Sequence, residues 1–175
     1  ASAVSADGVR KYEFEHRAIP AVALIASHDP FTFAINPAFA QKLQPRLRDR
    51  AAAELQVMLI AQNLSPDALL TDFHTLDRGA PIIGPDMLVE SGNGRVMGIL
   101  RAIQDHPENY AAYRLALEDR AAEFGLDRHK VENVRNPILV RMRTTTLSES
   151  ERKAFVLEAN LPSGISRSAV EHART

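Results

Sequence analysis

An α+β domain is the fold class this sequence predicts, and three observations lead there. Short apolar, β-tolerant runs stand at residues 19–25, at 81–83 with 88–90, and at 138–142. Between them lie segments with helical spacing of apolar residues and clear start and stop signals. The order is strand, helices, hairpin, helices, strand, helix, which is not the strict alternation of a parallel βαβ sheet.

Residues 19–25 (IPAVALI) predict a buried strand. Residues 27–48 are loop-like, punctuated by Asp29-Pro30, Asn36-Pro37 and Gln44-Pro45. Asp49 can cap a helix over 50–63, with Leu55, Met58, Leu59 and Gln62 at helical spacing. Ser65-Pro66-Asp67 opens a short second helix with proline at the favoured first position. Gly84-Pro85-Asp86 between two apolar runs is a hairpin signal. A Gly-rich turn then leads into a helix over about 95–104, and Pro107 starts another. Tyr110, Tyr113, Leu117, Ala121 and Phe124 line one face of the latter, and Gly125 stops it. A further turn or two follows over 127–134, then the 138–142 strand. Ser148 with Glu151 three residues on forms a capping box for the last helix, through Ala159.

The chain has 175 residues, so about one domain is expected. We divide it into a loose N-terminal segment, 1–16, and a domain over 17–175. It begins without methionine, and residues 166–173 read as the start of a helix that is then cut. The expectation is therefore a piece of a longer protein with a truncated C-terminal helix. Hydrophobic residues make up 45% and charged residues 25%, as in an ordinary globular protein. There is no cysteine, which excludes a thiol nucleophile, a disulfide framework and a Cys-based metal site. No apolar run is long enough for a membrane span, and the expected compartment is the cytoplasm of a bacterial or phage-infected cell. The net charge of −1 means that any polyanion site must be a local patch.

Three local patterns could carry chemistry. Glu90-Ser91-Gly92-Asn93-Gly94-Arg95 lies between a strand and a helix. Its glycines allow close backbone approach, the helix start offers free N–H groups, and Arg95 adds a fork suited to phosphate oxygens. A tight turn whose glycines serve only positive φ accounts for the same residues. The glycine spacing misses the dinucleotide fingerprint, and no Gly-Lys-Ser/Thr of a Walker loop occurs. The second pattern is basic: Lys42, Arg46, Arg48 and Arg50 within nine residues, opposed only by Asp49. It reads as a solvated loop or as a second phosphate-neutralising arm. The third is Glu158-Ala159-Asn160, a carboxylate and an amide that could meet Mg²⁺ or simply end a helix. The six histidines show no ligand spacing.

In this order the patterns resemble the ParB/sulfiredoxin superfamily, and within it the DdrB-like ParB domains of phage and plasmid proteins. The markers are residues 24–28 (LIASH), 43–50 (LQPRLRDR), 77–86 (DRGAPIIGPD), 89–95 (VESGNGR) and 137–141 (PILVR), then Glu158-Ala159-Asn160. The resemblance implies a small mixed sheet with helices packed on it and a Gly-x-x-Arg turn at a helix N-terminus. It implies a nucleotide site formed by Gln44, Pro45, Arg46 and Arg50 on one side and Ser91, Gly92, Asn93, Gly94 and Arg95 on the other. Asn160, with Glu158 one place off, falls on the Mg²⁺-proximal segment. ParB has Glu where this chain has Asn93 and where it has Ala159, and the usual later Arg is Ser163. Sulfiredoxin chemistry needs a cysteine in the Gly-x-x-Arg turn and is excluded. The implied function is a regulatory module that binds CTP or ATP, with Mg²⁺ where the site accepts it, in a DNA-processing or DNA-partition-type protein. DNA contact would come through the parent protein, homodimerisation stays open, and no membrane role is implied. Two alternatives stand beside it: an NTPase or DNA nuclease, and a DNA-binding module with a vestigial pocket.

Overall fold

A computed structural model describes residues 2–4, 11–44, 49–71 and 75–160. Strands β1 (Ser2–Val4), β2 (Lys11–Pro20), β3 (Ile82–Ile83), β4 (Val89–Ser91) and β5 (Pro137–Arg143) form one sheet in the order β1-β2-β5-β3-β4. Every pairing is antiparallel except β3 with β5, so the sheet is mixed. Helices α1 (Arg50–Gln62), α2 (Pro66–Leu70), α3 (Asn93–Asp105), α4 (Pro107–Asp119), α5 (Arg128–Glu132) and α6 (Glu149–Ala159) complete the α+β architecture.

Most element boundaries follow the local signals. Asp49 accepts from the Ala52 N–H and Ser65 from the Ala68 N–H, each capping its helix. Both halves of the Ser148–Glu151 capping box are made. Gly125 takes φ +71 at the stop after the 3₁₀ turn Ala121–Phe124. The face from Tyr110 to Phe124 is buried as its spacing predicts.

Two expectations need correction. The first long strand is residues 11–20, not 19–25. It therefore takes in residues 11–16 of the segment assigned as loose. Tyr12 and Phe14 are buried while Glu13, Glu15 and Arg17 face solvent, which is the period-two alternation of a strand covered on one side. After Pro20 the chain makes a 3₁₀ turn, and Ile25 keeps only a single bridge to Leu88. The second correction is to α1. Val57 and Ala61 are buried, whereas Leu55 and Leu59 are about half exposed and Met58 is 37% exposed. The helix packs closely on α3, where Gly98 leaves room for Ile60: a Cβ there would lie 2.3 Å from Ile60 Cγ2. Val57, Ala61 and the partly buried Ile60 make the packed face.

The long edge of β5 shows how helices finish the sheet. β3 is two residues long and meets β5 only at Arg141 and Met142. Beyond its reach, the Leu139 N–H donates to the buried Tyr113 hydroxyl at 2.9 Å, and the Tyr110 hydroxyl donates to the Pro137 carbonyl at 2.8 Å. Tyr113→Phe strands the Leu139 N–H in the core. The expected loss is about 1–3 kcal/mol of unfolding free energy by urea titration, with no change in the denaturant slope.

Candidate functional site: a cleft at the N-terminus of α3

The turn between β4 and α3 is built on one glycine. Gly92 sits at φ +88 as the residue before the helix, and its carbonyl accepts the first intrahelical bond from the Val96 N–H at 2.9 Å. An L side chain is strained at that φ. The missing Cβ also makes room for Arg95, since a methyl there would lie 2.7 Å from Arg95 Nη2 and 3.0 Å from Cζ and Nε. The guanidinium thus folds back over its own turn. Around it opens a cleft of about 290 Å³. One wall is apolar, from Ala53, Val57 and Ile60 of α1 and Met97 of α3. Ser27, Asp77, Asn160 and the 91–95 turn supply its polar surface.

Arg95 is incompletely paired. Nη1 donates to the Asp77 carbonyl at 2.6 Å, while Nε and Nη2 are buried and have no hydrogen-bond partner. Those two atoms share one edge of the guanidinium, the edge that meets two oxygens of one phosphate or carboxylate. Burial pushes the arginine down from its ordinary value, and the Asp77 charge offsets only part of this.

Other expected site residues do different jobs. Asn93 spends its amide on the backbone: Oδ1 accepts from the Ser27 N–H at 2.8 Å and Nδ2 donates to the Val89 carbonyl at 3.2 Å. Gln44 Nε2 donates to the Ser27 carbonyl at 3.1 Å. Ser27 therefore ties the Gln44 segment to the Gly92–Arg95 turn, joining the two patterns that the sequence places far apart. Gln44 Oε1 is itself buried without a partner. Ser91 Oγ lies 2.8 Å from the Ala159 carbonyl and 3.2 Å from that of Leu76, so it anchors the end of α6 beside the cleft. Asn160 Nδ2 donates to the Glu90 carbonyl at 3.0 Å, which sets Asn160 on the cleft rim.

Arg50 and Glu158 do not line the cleft. Arg50 is exposed at the start of α1 and donates to Glu54 and to the Thr32 carbonyl. Glu158 accepts from the Tyr12 hydroxyl at 3.3 Å, toward β2. Pro45 and Arg46 lie outside the described residues. Among the described residues, no three His, Asp or Glu side chains converge as a metal cage.

Sequence reading missed three contributors. Ser27 and Asp77 lie inside the 24–28 and 77–86 markers without an assigned role; Ser27 meets the site through its backbone, and Asp77 through its carbonyl and its charge. The third is a buried ionic cluster under the turn. Arg143 donates twice to Glu90, at 2.9 and 3.0 Å, and Arg152 donates to Glu90 at 2.6 Å. Arg152 also clasps Asp86 with two bonds of 2.8 Å. A charged Glu90 inside the apolar 88–90 strand was the available signal, because a buried carboxylate demands cationic partners.

Residues 7–144 match the ddrB-like ParB superfamily domain. The chain belongs to that family. The match spans β2 through β5 and so contains both the Ser27–Gln44 segment and the Gly92–Arg95 turn, whereas α6 with Asn160 follows it. The mixed sheet and its packed helices are those expected of a ParB-like domain. No curated protein and no solved structure matches this ParB-like chain. No helix among its described residues is long and apolar enough to cross a membrane.

Proposed function

We propose that this ParB-like domain binds a nucleoside triphosphate, CTP or ATP, as the regulatory module of a DNA-processing or DNA-partition-type protein. One observation carries the reading: the buried, unpartnered Nε–Nη2 edge of Arg95 at a helix N-terminus. A desolvated cation with two unmet N–H groups is costly, and a bound phosphate would satisfy both at once. The free N–H groups of the first helical turn add positive potential at the same place. The apolar wall from α1 offers a surface against which a base could pack.

The protein offers Mg²⁺ little by itself. Asn160 Oδ1 is an amide oxygen on the cleft rim, and a metal ion there would need the nucleotide's phosphate oxygens as its main ligands. The position that ParB fills with a carboxylate is Asn93, whose amide is already engaged at both ends. It can neither take a proton from water nor release its backbone bonds cheaply. Binding without appreciable turnover suffices for a switch, because differential affinity alone shifts a conformational equilibrium.

The test is a pair of titrations, one with nucleotide and one with duplex DNA, each at low and high salt, with phosphate release followed throughout. This reading expects saturable nucleotide binding and little release. DNA binding that falls steeply with salt, in a chain indifferent to nucleotides, would establish the DNA-binding alternative instead. Rapid release abolished by Arg95→Ala would establish an NTPase.

A further inference from the structure

The first helix leaves an apolar stripe uncovered. Leu55 is 55% exposed, Leu59 47% and Met58 37%, and all three lie on one side of α1. The opposite side carries Ala53, Val57 and Ile60, which wall the cleft. Leu115 and Leu157 are also exposed, but each stands alone on its helix and needs no partner. The α1 stripe differs in being continuous and free of charge. Ala51 and Ala52 extend it toward the start of the helix, Gln62 and Asn63 toward the end, and all four are exposed. The charged residues of the helix, Arg50 and Glu54, pair with each other at 2.9 Å. At about 100° per residue, both stand a third of a turn or more from the centre of the stripe.

We propose that this stripe is the contact between two copies of the chain, with α1 packed antiparallel on α1 of the partner copy about a two-fold axis near position 57. An isologous contact sets residue i against residue j and j against i. With that axis, Leu55 meets Leu59 of the partner copy, Ala52 meets Gln62 and Ala51 meets Asn63. Leucines close the centre, and at each end a small side chain faces a longer one, the arrangement in which facing layers interdigitate. No like charges meet, and no charge is buried unpaired. The same neutrality disfavours other occupants. A partner recognised by its charge finds none to pair with. A membrane surface selects a helix rich in lysine and arginine on its polar side, where α1 has Arg50 alone. The contact uses the face of α1 turned away from the cleft, so it neither needs nor blocks a bound nucleotide. A contact confined to one helix pair buries less than about 1,200 Å², the low end for specific interfaces, so the dimer dissociates on dilution.

Sedimentation equilibrium over a wide range of protein concentration tests this. The wild-type chain is expected to shift from its 19.3 kDa monomer toward twice that mass as concentration rises. Leu55→Glu and Leu59→Lys each set a charge against a leucine of the partner copy and should weaken the dimer about a hundredfold. Both positions are exposed, so both variants should keep the wild-type circular dichroism and melting temperature. An equimolar mixture of the two should recover much of the association, because antiparallel packing sets the two substituted positions against each other. Disulfide capture gives a second measurement that needs no charged variant. The chain has no cysteine, so Ala52→Cys combined with Gln62→Cys should yield linked dimers with oxidised glutathione. A wild-type chain that stays monomeric overturns the proposal, and its flotation with phosphatidylcholine–phosphatidylglycerol vesicles would assign the stripe to a membrane surface instead. A dimer that both charged variants leave intact overturns it as well. So does a dimer that they break, if neither their mixture nor the paired cysteines restore or capture it.

Discussion

Glu90→Gln should cost about 3–5 kcal/mol of unfolding free energy, the largest loss expected from a single conservative change in this domain. Glu90 is essentially inaccessible and accepts from both Arg143 and Arg152. A glutamine keeps the shape but removes the charge, and it turns an N–H₂ group toward guanidinium donors. One buried arginine is left without its counter-ion. The pair itself is not the source of this stability, because the desolvation of its members cancels most of their attraction. Replacing both Glu90 and Arg143 by apolar residues should therefore cost much less than either change alone. Urea titrations of the two singles and the double measure this directly, and strictly additive losses would count against it.

The same cluster predicts an acid sensitivity. Burial pushes the Asp86 carboxyl up, but the hydrogen bonds and charge of Arg152 outweigh it and hold the group below its ordinary range. A depressed folded-state value means that the stabilisation is fully present above the ordinary carboxylate range. It is lost as pH falls from there through the lower value of the folded protein. Stability should drop over that acid window in the wild type, and the drop should shrink in Asp86→Asn.

Arg95→Ala should weaken nucleotide binding ten- to a hundredfold, as expected for loss of a charge-assisted contact worth about 1.5–3 kcal/mol. The change should cost the unliganded fold little. It removes one hydrogen bond to the Asp77 carbonyl, but it also removes two buried N–H groups that have no partner. Loss of affinity without a matching loss of thermal stability separates a binding residue from a structural one. A large fall in stability with unchanged affinity would make Arg95 part of the scaffold.

Much of the fold was legible because its signals are local. Caps at Asp49, Ser65 and Ser148, the Gly125 stop and the tyrosine face of α4 are each set by a few neighbouring residues. The failures were matters of partner choice. Residues 19–25 are apolar enough for a strand, yet the sheet takes residues 11–20, whose alternation fits one covered face. On α1 the larger side chains give the stronger helical stripe. The core instead takes Val57 and Ala61, with Ile60 seated over Gly98 of α3.

The site was legible in part. The Gly92–Arg95 turn announces itself by composition. That Asn93 would clasp Ser27, and that Gln44 would hold the same residue from the other side, depends on contacts sixty-six and seventeen positions away. No spacing rule reports these. Arg50 looked like part of the basic wall, but its helix-start position gives it nearer partners in Glu54 and Thr32.

The central claim is that the cleft around Arg95 takes a nucleoside triphosphate. Isothermal titration calorimetry of the wild-type domain with CTP, ATP, GTP and UTP, each with and without Mg²⁺, tests it most directly. The account predicts saturable binding of CTP or ATP that weakens ten- to a hundredfold in Arg95→Ala, in line with the ~1.5–3 kcal/mol contact. No heat of binding with any of the four, or binding that Arg95→Ala leaves unchanged, would contradict it.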